Sequence, residues 1–162
     1  HSVIDHLNFE NRTDFEARLN GELESCNAEL VCLAGFMRLL TGSFVEKWYG
    51  RLVNIHPSLL PAFKGLDTHA RALAAGVKIA GCTIHYVSRD MDAGPIIAQA
   101  AVPVMPNDNE DILAARVLKQ EHVIFPMALK MIAEKRVKIT DGCVRIDGTS
   151  LDDDVIVSPT LN

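Results

Sequence analysis

The sequence has no apolar run close to the roughly 20 residues that a membrane helix needs, so it predicts no membrane span. It also lacks runs of Lys or Arg, because 16 basic residues are set against 21 acidic ones for a net charge of -5. A protein that binds a nucleic acid backbone needs a positive stripe on its surface. The composition therefore argues against nucleic acid as a partner.

The cysteines form no Cys-x-x-Cys pair of the kind that indicates a zinc site or a redox pair. Most of them lie in apolar stretches, where a thiol behaves as a small apolar side chain. We therefore expect reduced thiols and no metal. Neither a basic leader nor a long apolar segment opens the sequence, so the expected location is the cytoplasm. The four cysteines are Cys26, Cys32, Cys82 and Cys143.

The 48% of hydrophobic and 23% of charged residues are typical of a globular domain. No linker or repeat divides the chain, which predicts one domain over residues 1-150 and a loose acidic tail over residues 151-162. Short apolar runs alternate with amphipathic segments, and this alternation predicts an α/β fold. Ligands of such folds bind at the carboxyl ends of parallel strands.

The first half of the domain has the pattern of a strand, helix, strand unit whose two strands run parallel. Two helices have residues spaced as capping boxes, Thr13 with Glu16 and Ser43 with Glu46. The predicted elements are a helix over residues 11–25, a strand over residues 28–34, a helix over residues 43–49 and a strand over residues 51–55.

The second half has the pattern of two strands joined by a polar turn, then one long helix. We expect the strands, over residues 79–87 and 95–104, to pair as a hairpin. Apolar residues recur at spacings of three and four from Asp108 onward, which predicts the helix. The alternating segment around Asp141 and Gly142 predicts a hairpin near the end of the domain.

Two polar residues, Asn54 and His56, end the apolar strand that begins at Arg51. Strand side chains alternate with period two, so both point to the same face. An amide and an imidazole can both donate hydrogen bonds to the oxyanion of an acyl-transfer intermediate, and the imidazole can exchange a proton. A structural alternative stays open, in which Asn54 holds a turn and His56 is a satisfied core histidine.

Asp92 lies in the polar turn between the two strands of the predicted hairpin. An acidic residue in such a turn is often only a turn former. A carboxylate close to His56 would instead favour the imidazolium and could relay protons through water. The local pattern does not decide between these two roles.

Four motifs follow one another along the chain and extend over residues 11–148, nearly its whole length. Together they resemble the phosphoribosylglycinamide formyltransferase family, and four ordered motifs are far more specific than one. The motifs are A-G-F-M-R-L-L from Ala34, N-I-H-P-S-L-L-P from Asn54 with K-G-L-D-T-H behind it, H-Y-V-S-R-D-M-D-A-G-P-I-I-A-Q from His85, and Q-E-H-V-I-F-P from Gln120.

The resemblance implies a Rossmann-like formyltransferase fold, with a mostly parallel sheet, helices on both faces and a C-terminal hairpin. It also implies an enzyme of purine biosynthesis that transfers a formyl group from the cosubstrate 10-formyltetrahydrofolate to the amine of glycinamide ribonucleotide. Its partners would be these small molecules, with a homodimer as one assembly state, and it would need no metal.

The resemblance assigns roles to particular residues. Asn54, His56 and Asp92 match the family's catalytic residues. The implied folate-binding residues are Arg12, Met37, Arg38, Leu39, Leu40, Asn54, Ser88, Arg89, Asp90, Met91 and Asp92. The implied ribonucleotide-binding residues are Leu118, Lys119, Gln120 and Glu121.

The sequence departs from the family pattern in one respect. The family begins with a strand and a Gly-Ser-Asn type loop that binds the ribonucleotide phosphate, and this loop is not found in the 162 residues. We therefore expect N-terminal nucleotide-binding units to be missing. Two alternatives to the transferase stay open, a formyltetrahydrofolate hydrolase and a noncatalytic folate-binding module. Pro57 stands directly after His56, where we expect a second histidine in the hydrolases.

Overall fold

A computed structural model describes residues 1–148 and residue 158, so the predicted loose tail lies outside the described residues except for Ser158. A 3-10 turn spans His6–Asn8. The helices are α1 (Arg12–Ser25), α2 (Gly42–Lys47), α3 (Thr68–Ala74) and α4 (Glu110–Ala133). The strands are β1 (Val31–Leu33), β2 (Leu52–His56), β3 (Ile79–Tyr86), β4 (Ile96–Pro103), β5 (Val137–Thr140) and β6 (Cys143–Ile146).

Strands β1 to β4 form one sheet in sequence order. β1 and β2 are parallel, whereas β2 with β3 and β3 with β4 are antiparallel. The α/β fold is confirmed, but the mostly parallel sheet is corrected to a mixed sheet among the described strands. The sequence pattern predicts the strands but contains no register between β2 and β3, so it could not fix the antiparallel direction of β3.

Helices cover both faces of this sheet, as predicted. Leu52 of β2 faces a cluster with Phe44 and Trp48 of α2, and the Trp48 Nε1–H donates to Asn20 of α1 at 2.7 Å. The adjacent Val53 faces the opposite cluster, to which α4 contributes Leu113, Val117, Ile124, Ala128 and Met131. Alternate residues of β2 therefore serve two separate layers of the core.

The helix caps differ from the predicted capping boxes. The Asn11 side chain accepts from the Asp14 N–H at the start of α1, and the Thr41 hydroxyl accepts from the Phe44 N–H at the start of α2. Glu16, which the capping-box pattern assigned to the first turn of α1, is buried and bonded to Thr41 instead.

The predicted C-terminal hairpin is confirmed as β5 paired antiparallel with β6. Its turn residues Asp141 and Gly142 have φ angles of 51° and 74°. Two successive positive φ values are typical of the type I′ turn, whose twist matches that of the strands it joins.

Candidate active site

A cavity of about 1030 Å³ opens at the carboxyl end of β2. Small-molecule sites have volumes of roughly 300–1,000 Å³, so this cavity is large enough for a sizeable ligand. We call Asn54, His56 and His85, which lie on β2 and β3, its floor. We call the segments over residues 37–40 and 88–91 its mouth. All of these residues line the cavity, and α4 forms a further wall.

The sheet register brings the floor residues together. Asn54 is opposite His85 and His56 is opposite Thr83 in the antiparallel pair of β2 and β3. Opposite residues in such a pair share one face of the sheet. The polar side chains of both strands therefore form a single polar patch at the end of an otherwise apolar layer.

Asp92 reaches this patch from the loop between β3 and β4. Its Oδ2 lies 3.5 Å from His56 Nδ1 and accepts from the Gly65 N–H at 2.8 Å. Asp92 has a φ of 49°, a left-handed backbone that aspartate tolerates better than most side chains. The structure thus brings together the three residues that the sequence proposed as catalytic.

Gly94 holds the same loop close to β3. A Cβ at Gly94 would lie 1.7 Å from the Tyr86 carbonyl oxygen, which is far inside van der Waals contact. Only glycine permits this approach of two backbones. The close approach keeps Asp92 beside the floor.

His85 is a floor residue that the sequence analysis did not single out. Its ring is 2% exposed, and its Nδ1–H donates to the Tyr86 carbonyl oxygen at 2.9 Å. Burial lowers the pKa of the His85 imidazole, although the Tyr86 carbonyl and Asp92 oppose this effect. Neutral His85 therefore offers its Nε2 lone pair to the Asn54 Nδ2–H at 3.3 Å. His85 fixes the orientation of the Asn54 amide.

His56 has an acceptor beside each of its ring nitrogens. Nε2 lies 3.0 Å from the Phe63 carbonyl oxygen, and Nδ1 faces the Asp92 carboxylate. Only the doubly protonated ring carries an N–H for each of these acceptors. The second N–H of Asn54 and the His56 Nε2–H are the donors that a substrate oxygen could use.

The mouth consists of loop residues with exposed apolar side chains. Met37 is 80% exposed, Leu39 is 56% exposed and Met91 is exposed to a similar degree. Arg89 forms an ion pair with Glu46 of α2, which ties one side of the mouth to that helix. Exposed apolar side chains at the rim of a cavity are suited to a flat, partly apolar ligand.

The remaining predicted residues are divided between the cavity and the surface. Leu118 and Glu121 of α4 line the cavity. Burial raises the pKa of the Glu121 carboxyl group, with opposing effects from His122 and His56. Arg12, Lys119 and Gln120 do not line the cavity.

Within residues 1–148, no group of three or more His, Cys, Asp or Glu side chains is arranged to hold a metal ion. The four cysteines have free thiols. No helix in the described part of the chain is both long and apolar enough to cross a membrane.

The family model described as formyl transferase matches residues 1–129. The chain belongs to this family. The resemblance drawn from the four motifs is therefore confirmed, and the cavity with its polar floor is the candidate site of a formyl transferase.

Curated relatives of the chain include both long and short proteins. The chain is 50% identical to the trifunctional purine biosynthetic protein adenosine-3 of Gallus gallus over 140 residues, which are 86% of this chain and 14% of that protein. It is 43% identical to the phosphoribosylglycinamide formyltransferase of Escherichia coli (strain K12), over 88% of this chain and 68% of that protein. The chain thus spans a small part of the long relatives and about two thirds of the short ones.

The solved structures agree with the family assignment. The phosphoribosylglycinamide formyltransferase of Coxiella burnetii superposes with a TM-score of 0.85 at 45% identity, covering 93% of this chain and 71% of that one. This similarity confirms the formyltransferase fold for the described elements.

Proposed function

We propose that this chain transfers a formyl group from 10-formyltetrahydrofolate to the amine of glycinamide ribonucleotide, a step of purine biosynthesis. The observation that carries the proposal is the convergence of Asn54, His56 and Asp92 on one large cavity. Membership of the formyl transferase family and the names of the relatives support the same reaction.

The mouth is the proposed binding site of the folate. Its apolar side chains would pack against the flat pterin, and backbone groups of residues 88–92 would bond to its polar edge. Arg12 is exposed at the start of α1 and would pair with the glutamate tail outside the cavity.

The wall formed by α4 is the proposed binding site of the ribonucleotide. Leu118 and Glu121 line the cavity there, and Glu121 would accept hydrogen bonds from the sugar or from the glycinamide amine. Lys119 and Gln120 occupy the same turn of α4 and would bind the outer part of the ribonucleotide.

In the proposed reaction, the ribonucleotide amine attacks the formyl carbon and forms a tetrahedral oxyanion. The free Asn54 N–H and the His56 Nε2–H would donate to this oxyanion, with the formyl oxygen replacing the Phe63 carbonyl as the partner of His56. Asp92 would hold the other ring nitrogen of His56. The bond to the folate N10 then breaks, N10 gains a proton, and the amine loses one through the His56 and Asp92 pair.

The test is an assay of the purified chain with 10-formyltetrahydrofolate, with and without glycinamide ribonucleotide, in which the formylated ribonucleotide is detected by mass spectrometry. The proposal expects this product and the release of tetrahydrofolate only when the ribonucleotide is present. Tetrahydrofolate and formate without ribonucleotide would indicate the hydrolase instead. Folate binding without either product would indicate the noncatalytic module.

The proposal also includes a cytoplasmic location and a homodimer as one assembly state. The location is the one expected from the sequence, and the homodimer is one assembly state that the family resemblance implies. Fractionation of the source cells would test the location, and sedimentation of the purified chain would test the assembly.

A further inference from the structure

Glu16 is a buried carboxylate that the proposed reaction does not use. It lies in the first half of α1 and is 4% exposed. Burying an ionised carboxylate is costly unless its oxygens are hydrogen-bonded. Both of its oxygens are occupied by one residue, Thr41, which lies 25 positions further along the chain.

Thr41 connects this carboxylate to the mouth of the cavity. Its N–H donates to Glu16 Oε1 at 2.8 Å, and its hydroxyl donates to Oε2. The same hydroxyl accepts from the Phe44 N–H and thereby caps α2. Thr41 directly follows Leu40, the last residue of the mouth segment over residues 37–40. The end of that segment is therefore fixed to α1 by two bonds to a charged group, which are stronger than neutral ones.

Phe15, the neighbour of Glu16 on α1, contacts the mouth segment at a second position. The Arg38 guanidinium lies over the Phe15 ring, 5.6 Å from its centroid. Phe15 is itself buried and packs against Phe9. Two adjacent residues of α1 thus contact Arg38 in the mouth segment and Thr41 directly after it.

Apart from Leu40, which packs against the cluster of Phe44, Trp48 and Leu52, the segment is exposed. Residues 37–40 adopt neither helix nor strand, and Met37 and Leu39 are exposed. Ordering a free segment costs conformational entropy when a ligand binds, unless the protein has already ordered it. The two contacts with α1 supply that order before the ligand arrives.

We propose that Glu16 is a positioning residue for the formyl donor, because it holds the mouth segment in the shape that binds the folate. This inference rests on the proposed function. Glu16 acts through Thr41 and does not itself line the cavity. Its loss should therefore weaken donor binding and leave ribonucleotide binding at α4 nearly unchanged.

The experiment compares Glu16→Ala with Glu22→Ala in the same chain. Glu22 is the matched control, since it lies on α1 but pairs with Arg18 at the surface. We expect Glu16→Ala to raise the Kd of a folate analogue in calorimetry and the KM of the donor about tenfold or more. The KM of the ribonucleotide should stay within about twofold, and Glu22→Ala should match the unsubstituted chain.

A second variant covers the case in which Glu16→Ala does not fold, as judged by circular dichroism and thermal unfolding. Thr41→Val keeps the N–H bond to Glu16 but removes the hydroxyl, so it should raise the donor Kd by a smaller factor. Thr41→Ser keeps both bonds, so its donor Kd should equal that of the unsubstituted chain. A folded Glu16→Ala or Thr41→Val with unchanged donor Kd, or an equal loss for both substrates, would overturn the inference.

Hydrogen exchange separates this inference from the proposed function. In the unsubstituted chain the Thr41 amide should be protected, and Glu16→Ala should increase its exchange at least about tenfold. If the unsubstituted chain binds no folate analogue, the proposed function is contradicted, and the exchange data alone decide whether Glu16 orders the segment. Unchanged exchange at Thr41 would contradict the positioning role directly.

Discussion

The floor and the mouth of the cavity are held by different means. His56 and His85 of the floor are buried on neighbouring strands, where His56 pairs with β3 and His85 pairs with both β2 and β4. The mouth consists of exposed loop residues, of which Arg38 and Arg89 are tied to nearby helices. The strands can thus set the geometry of a reaction to a fraction of an ångström, while the loops adapt to a ligand. Substitutions in the floor should therefore affect kcat, and substitutions in the mouth should affect KM.

The largest effect is expected from the floor donors. His56→Ala or Asn54→Ala should lower kcat for formyl transfer at least about a hundredfold, since each removes a donor to the oxyanion. Steady-state kinetics measures the loss. Lys130→Ala, at an exposed position of α4 outside the cavity, is the control and should leave kcat unchanged. Near-normal turnover in both floor variants would favour the structural roles that the sequence left open.

His85→Leu should have the next largest effect. It removes the acceptor that orients the Asn54 amide. We therefore expect kcat to fall about tenfold, which is less than the fall expected when an oxyanion donor itself is removed. The KM of the donor should change little, because the mouth is not altered. His85→Gln offers an amide oxygen to Asn54 and should recover most of the loss. If His85→Leu changed KM and not kcat, the division between floor and mouth would be contradicted.

The sequence predicted two residues of the floor because the alternation of side chains along one strand was sufficient to relate them. Period-two alternation put Asn54 and His56 on one face of β2, and the structure agrees. The same rule applies to Thr83 and His85 on β3, but their meeting with Asn54 and His56 depends on an antiparallel register that local patterns do not contain. Without that register, His85 was indistinguishable from any polar residue of a strand.

The contact between α1 and the mouth was missed for a related reason. Glu16 stands three residues after Thr13, and this spacing predicts a local capping box. Its actual partner, Thr41, is brought near by the packing of α1 and α2 around Trp48 and Leu52. Contacts between distant parts of the chain are decided by such packing, which a short window of sequence cannot report.

A smaller effect is expected in the mouth. Leu39→Ala should raise the KM of the donor a few fold, about the loss from removing part of one apolar contact, with kcat unchanged. The unfolding temperature should hardly move, because Leu39 is already exposed. Leu7→Ala, at a still more exposed leucine outside the cavity, is the control. A fall in kcat for Leu39→Ala alone would show that the mouth also sets the reaction geometry.

The smallest effect is a pH dependence of stability that comes from the floor. Burial lowers the pKa of His85 in the folded chain below its unfolded value of about 6.5. The unfolded chain therefore takes up the proton first, and stability should fall as the pH drops below that value. The unfolding temperature should decrease between pH 7 and pH 5 in both proteins, and the decrease should be a few degrees smaller in His85→Gln than in the unsubstituted chain. For a chain of this length, a change of 1 kcal/mol in the free energy of unfolding shifts the unfolding temperature on the order of 2–4 °C. His69, whose pKa burial also lowers, remains in both proteins.

The hydrogen bond between His85 Nδ1 and the Tyr86 carbonyl oxygen also gives the site a spectroscopic signal. The imidazole proton in this bond is shielded from water, so we expect it to exchange slowly and to be observable by proton NMR. Its resonance belongs to a ring that touches Asn54 on the other side. A ligand that displaces or polarises the Asn54 amide will shift this resonance, whereas a ligand that stays at the cavity rim will leave it in place. Ligand screening can therefore sort compounds by the depth they reach before any turnover is measured.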